Sequence, residues 1–449
     1  PRDGSLTSNR FAKGLADRSA ALALTACGTS LGSIADVGAT TSSGTTSSAV
    51  ATTATDGSYT IHAQADDVDY DASTAKTIAL GSGNVEITEP GTYILTGTLS
   101  NGQVIVNSSA EGKVRIVLSN ASISNSSGAA IDVRAADEVV VVLAEGTSNS
   151  LTDGSGYDTS GEDAADAALF SMADLTIGGT GSLIVTGNTA DGIASKDGLV
   201  ILGGTITVKA ADDGIRGKDY LVIQDGTLDV TSAQDGLKST NETDAQYGDI
   251  VISGGTVTVN AGDDGAHAEG EPQRFAVYNI AITGGTVTIA KSSEGLEGHT
   301  ITIAGGSTSV TSSDDGVNAS SGTGSTSGGG GGGMADDGSS LLISGGTLTV
   351  NASGDGLDSN GSITISGGTT TVAGPTGNGN GSLDSNAGIT YTGGTLIAAG
   401  SAGMAEAPDS GNYVQANVSA PAGATRRGRG PGSSTGRPSA VSSFLICML

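Results

Sequence analysis

Between Asp191 and Gly316 one phrase, an acidic residue directly before a glycine, returns at a near-regular spacing: Asp191-Gly192, Asp213-Gly214, Asp235-Gly236, Asp264-Gly265, Glu294-Gly295 and Asp315-Gly316. The acids recur 22, 22, 29, 30 and 21 residues apart, and Asp212, Asp263 and Asp314 double three of them. Asp355-Gly356 repeats the phrase further on. If equivalent positions stack, neighbouring unit charges about 4.8 Å apart repel by roughly 3–4 kcal/mol at an effective dielectric of about 20. A column of that kind is tolerable only where solvent screens it or cations bridge it. Calcium suits the second case, because it accepts about 6–8 oxygen ligands and mixes carboxylates with carbonyls and water. The glycine lets the backbone turn sharply, so main-chain carbonyls could join the site. The expected metal ligands are therefore Asp191, Asp212, Asp213, Asp235, Asp263, Asp264, Glu294, Asp314, Asp315 and Asp355. Asp-Gly also makes ordinary solvated turns, which is the competing reading of any one pair.

The elements that must position these acids are short strands. From Asp191 to Asp213, Leu199 and Ile201 alternate with Val200 and Leu202, and Ile206 and Val208 alternate with Thr205, Thr207 and Lys209, with turns at Ser195–Gly198, Gly203-Gly204 and Ala210–Gly214. A second phrase, Gly-Gly-Thr, recurs at 203–205, 254–256, 284–286, 345–347, 367–369 and 393–395. Three period-2 strands in a repeat of about 22 residues, with no sustained 3.6-residue apolar spacing, predict an all-β solenoid. The expected fold is a right-handed parallel β-helix, each coil burying its apolar face on its neighbours. Leucine-rich repeats have a similar period, but their leucine pattern and asparagine ladder are absent.

The rest of the chain divides by composition. Leu24-Thr25-Ala26-Cys27 resembles a bacterial lipobox, so residues 1–27 read as a lipoprotein signal region with Cys27 as the lipidated residue. Residues 28–58 read as a flexible Ser/Thr/Ala linker and 59–410 as the β-helix, with a Gly/Ser-rich loop inserted at 318–340. Residues 411–449 turn basic and are expected to be a disordered or artefactual tail.

With 47 acidic against 19 basic residues and a formal charge of −28, the composition excludes nucleic-acid binding through a basic patch. Membrane association is expected only through the N-terminal lipid. Tryptophan is absent, which leaves tyrosines such as Tyr220, Tyr247 and Tyr278 as the stacking surfaces. The two cysteines, Cys27 and Cys447, form no disulfide framework. His62, His267 and His299 are scattered and read as surface or turn residues. Lys196, Lys218 and Lys238 follow the acid phrases and would offset the column. A lysine beside calcium, with Lys218 as the candidate, could instead remove the proton α to a uronate carboxylate.

The run Ala168–Ser171, Leu175–Ile177, Gly179–Leu183, Asp191–Ile193 and Lys196-Asp197, followed by the Asp-Asp-Gly-Ile coil and Asp355–Gly361, resembles a family of secreted carbohydrate-binding β-helix proteins known from cellulolytic clostridia. That resemblance implies a right-handed parallel β-helix with bound Ca2+, similar in fold to pectate lyases. It also implies an extracellular, cell-surface protein that binds polysaccharides such as cellulose and pectin. The first functional expectation is thus a non-catalytic, calcium-dependent polysaccharide-binding monomer. A calcium-dependent lyase and a structural adhesin are the alternatives.

Overall fold

The computed structural model describes residues 60–161, 163–241, 244, 246–270, 278–321, 335–420 and 441–448. Cys27, the linker and most of the Gly/Ser-rich insertion lie outside these residues. All regular structure described is β. Each coil contributes three short strands, as in Asp191–Ser195, Gly198–Ile201 and Thr205–Ala210. Each pairs in parallel with its counterpart one coil on: Ile193 with Ile215, Leu199 with Leu221, Ile206 with Leu228. The result is a parallel β-helix with three faces, called here the first, second and third in chain order. The first is a sheet of 12 strands from Val85–Ile87 to Leu383–Ser385. The second and third are joined near the start, because Lys113–Ser124 runs through both. Its corner lies at Asn120, whose φ of 54° is a left-handed conformation that asparagine tolerates.

The period-2 pattern decides which side chains turn inward. On the first face Ile193, Ile215, Leu237, Ala266, Leu296, Val317, Leu357 and Leu383 stack into one continuous core that runs from Leu80 to Ala398. On the third face the apolar residues of Thr205–Ala210 point in, while Thr205 is exposed and Thr207 half-buried. The second glycine of Gly-Gly-Thr makes the corner onto this face. Gly255, Gly285, Gly346 and Gly368 have φ between 69° and 76°, which side-chain-bearing residues seldom adopt.

Two expectations change. The residues preceding the first strand do more than begin the helix: they run along the outside of the second face. Ile61 and Ala63 pack on Val200, Tyr220, Val222, Val251 and Ala281, and Val68 packs on the cluster of Val117, Val140, Val142 and Ala144. This strap explains why the second-face strands Gly198–Ile201 and Tyr220–Ile223 are buried throughout. The C-terminal segment, expected to be disordered, contributes Tyr413–Ala420 and Val441–Met448. These pair antiparallel with each other, and the latter with Thr395–Ser401. The physical reason is the last coil's free hydrogen-bonding edge, which a further extended strand can cover.

Candidate metal centre

The acids of the repeated phrase do form a column, at the entry to the first face. Its lower part is a hydrogen-bonded ladder: Asp213 N–H donates to Asp191 Oδ1 at 3.2 Å, and Asp235, Asp264 and Glu294 each donate to the acid one coil below at 3.0 Å. Asp355 N–H donates to Asp315 Oδ1, and Gly381 N–H to Asp355 Oδ1. Glu294 breaks the ladder because its longer side chain instead accepts from Asn318 Nδ2 at 2.8 Å. Asp191, Asp213, Asp235 and Asp264 are buried, whereas the doubling acids Asp212, Asp263 and Asp314 are exposed. Each doubled pair thus splits, one carboxylate into the ladder and one into solvent.

The main-chain carbonyls of these acids serve the fold. Gly192 N–H donates to Asp213 O at 3.0 Å, and Gly214 and Gly236 donate in the same way to Asp235 O and Asp264 O at 2.8 Å. The glycines are required by close packing: a Cβ on Gly214 would lie 2.3 Å from Val230 Cγ1 and 2.4 Å from Gly236 O. That correction to the turn reading follows from the parallel register, which spends those carbonyls between coils.

A second column, three residues further on, decides the electrostatics. Register places Ala194, Arg216, Lys238, His267, Glu297, Asn318, Asp358 and Asp384 one above another. In the lower coils this column is cationic. Arg216 bridges Asp191 Oδ2 at 2.6 Å and Asp166 Oδ2 at 2.8 Å, while Lys238 reaches Asp235 Oδ2 at 2.8 Å and Asp213 Oδ2 at 3.5 Å. His267 Nδ1 lies 3.2 Å from Asp235 Oδ2 and 3.5 Å from Asp264 Oδ2, and its Nε2 lies 3.6 Å from Glu297 Oε2. Burial works against its charge, yet these carboxylates raise the imidazolium pKa to about 9. Burial likewise opposes the Asp235 carboxylate, but His267 and Lys238 hold it down to about 2.

Above Glu297 the column turns acidic or neutral and faces acids. Burial, followed by like charges, raises Asp358 to about 8, Asp355 to about 7 and Asp315 to about 6. Glu294 and Glu297 rise to about 7 and about 8 for the same first reason. Among the described residues these acids lack the fixed positive partners found below them, and at their lower end Asp264, Glu294 and Glu297 bring carboxylate oxygens within 4.8 Å of one another, the oxygen-rich chemistry that a hard divalent cation takes.

Sequence reasoning therefore found the first column and missed the second. His267 is a member of the charged edge, contrary to its reading as a surface or turn residue. His62 and His299 are likewise packed: His62 lies 3.0 Å from Asp174, and His299 is buried edge-on to Tyr278. Tyr220 and Tyr278 are buried, so neither offers a stacking surface. Lys196 pairs with Asp166 rather than with the ladder, and among the described residues the ladder's basic partners are Arg216, Lys238 and His267, not Lys218. Register would have revealed the second column had the lengths of the inserted loops been known.

Comparison with known proteins gives the family. A carbohydrate-binding domain-containing protein from Acetivibrio thermocellus is 44% identical over 191 residues, which is 42% of this chain and 66% of the relative, just under two thirds of its length. A solved structure described as the polysaccharide lyase-like protein from C. thermocellum, a gadolinium derivative, is 28% identical with a TM-score of 0.42, covering 52% of this chain and 92% of that one. The family described as carbohydrate-binding domain-containing protein matches residues 81–338, more than half of the 449 residues. The chain belongs to the family of carbohydrate-binding domain-containing proteins.

Proposed function

We propose that this protein binds polysaccharide without cleaving it, and that calcium held on the upper, acidic half of the edge takes part in the binding. The observation that carries this reading is the change of sign along the second column, from Arg216, Lys238 and His267 to Glu297, Asn318, Asp358 and Asp384. Of the lower acids, Asp191 is paired with Arg216, and Asp213 and Asp235 with Lys238. Among the described residues Glu294, Asp315, Asp355, Asp358 and Asp384 have no cationic partner, so they are the residues that would hold Ca2+.

A calcium ion there would neutralise the edge and leave coordination positions for the carboxylates of an acidic glycan such as pectin. That would allow a chain of net charge −28 to bind an anionic polymer. The protein would act outside the cell, tethered through Cys27 and the linker. Its position in the sequence puts Lys218 beside the lower, cation-paired coils, away from the acids that would hold calcium, and this favours binding over a lyase reaction.

The test is pull-down on polygalacturonate and on cellulose, with calcium or with chelator, while absorbance from unsaturated products is followed in the same samples. Retention on polygalacturonate that needs calcium, is lost in Asp355→Asn/Asp358→Asn and gives no absorbance change supports the reading. Rising absorbance abolished by Lys218→Ala would make the protein a lyase. Retention unaffected by chelator would remove calcium from the binding step.

A further inference from the structure

His267 stands where the paired half of the edge gives way to the acidic half, and its surroundings differ from those of Arg216 and Lys238 below it. Asp235 Oδ1 accepts from Asp264 N–H and Asp264 Oδ1 accepts from Glu294 N–H, each at 3.0 Å. Both carboxylates are thereby fixed through one oxygen, and both present the other, Oδ2, to the same nitrogen, His267 Nδ1.

The separations are informative. A charged N–H donating to a carboxylate closes to about 2.7–2.9 Å. Here Nδ1 is shared at 3.2 Å and 3.5 Å and reaches neither oxygen at that range. A tetrahedral ion with bonds of about 2.0–2.2 Å has ligand atoms about 3.3–3.6 Å apart along the edges of its tetrahedron. The 3.5 Å separation falls within that spacing and the 3.2 Å one just below it, and the ligand atoms of Asp235, Asp264 and His267 all lie within 4.8 Å of one another. Glu297 Oε2 lies 3.6 Å from the other ring nitrogen, Nε2, beyond hydrogen-bond length, and Glu297 also hydrogen-bonds Asp264. A carboxylate behind the non-ligating nitrogen is the arrangement that orients a metal-bound imidazole.

We propose that Asp235 Oδ2, Asp264 Oδ2 and His267 Nδ1 form a site for one transition-metal ion of the zinc class, with Glu297 orienting the imidazole and water in the fourth position. The imidazole sets this site apart from the all-oxygen edge above it, since nitrogen ligands favour zinc, cobalt or nickel over calcium. Binding displaces the Nδ1 proton to solvent. Lys238, 2.8 Å from Asp235 Oδ2, shares that oxygen or turns to Asp213 and Glu269, each 3.5 Å away.

The test uses the whole chain, stripped of metal and then held in excess calcium, with Co2+ as the probe. One Co2+ per chain, with the intense visible absorption of a tetrahedral site and displaceable by Zn2+, is expected. His267→Ala should weaken it by about 100-fold or more and Glu297→Gln by about 10–100-fold. Far-UV circular dichroism verifies that each variant is folded, and His267→Asn replaces His267→Ala if the latter is not. Asp358→Asn, which touches only the proposed calcium half, should leave cobalt binding intact, so the two sites fail or hold separately. Absence of stoichiometric binding, weak octahedral bands only, or affinity unchanged in both folded variants would overturn the site.

Discussion

Asp235 and Asp264 stand one coil apart, and the backbone N–H of the upper residue donates to Oδ1 of the lower at 3.0 Å. The same relation links Asp213 to Asp235, so a carboxylate that reads in sequence as a turn residue or an ion ligand is first a bracket between coils. It fixes the height at which every charged group on the edge meets its neighbours.

The bracket can be weighed by substitution. Asp213→Ala leaves the buried Asp235 N–H without its acceptor, at a cost of about 1–3 kcal/mol. Asp213→Asn keeps the acceptor oxygen and should be the more stable of the two. Chemical denaturation of both variants checks the order, and equal stability would mean that the ladder contributes nothing.

Arg216 is the partner whose loss should cost most. It is nearly buried between Asp191 and Asp166, with side-chain exposures of 11%, 3% and 18%. Arg216→Met leaves these two carboxylates facing each other without a cation, and breaking a buried pair costs about 3–5 kcal/mol. Thermal unfolding should fall accordingly, and by more than in Arg134→Met, where the lost guanidinium is itself half exposed to solvent beside the buried Asp132.

Calcium should stabilise the chelated protein. If it binds the folded edge alone, stabilisation reaches about 2.7 kcal/mol at 100 times the dissociation constant. Asp355→Asn/Asp358→Asn should abolish the calcium-dependent rise in melting temperature while raising the calcium-free value, since it removes unpaired buried charge.

The pH dependence follows from the same acids. Glu294, Glu297, Asp315, Asp355 and Asp358 titrate in the folded chain between about 6 and about 8, above their ordinary values of 3.8 and 4.5. Between those limits the folded state binds more protons than the unfolded one, so their contribution to stability falls as pH rises. It is fully present below about pH 4 and is lost as pH climbs through 6 to 8. In chelator, melting temperatures should drop across that window; with calcium the drop should flatten.

The repeated phrases made the solenoid and its first acid column legible because both depend on identity: Asp-Gly and Gly-Gly-Thr return wherever the backbone needs them. The second column returns by position only. Arg216, Lys238, His267, Glu297 and Asp358 share no chemistry, and loops of different length separate them. The strap around Ile61 and Val68 was equally hidden, since nothing local says that two short apolar stretches lie across a distant sheet. The final strands were masked by the change in charge after Asp409, which hid the apolar alternation near the end.

The strap sets how the protein carries load. Ile61 and Ala63 share one apolar cluster with Val200, Tyr220 and Val222, and His62 bonds to Tyr220, so the strap begins on the second face several coils along from the first strand. A pull from the N-terminal side therefore meets the strap first and peels it away contact by contact, starting at Ile61 and Ala63 and ending near Val68. Only then does tension reach Lys76–Leu80 and the coil ladder. The core is thus shielded behind a yielding segment, and the strap acts as a mechanical fuse.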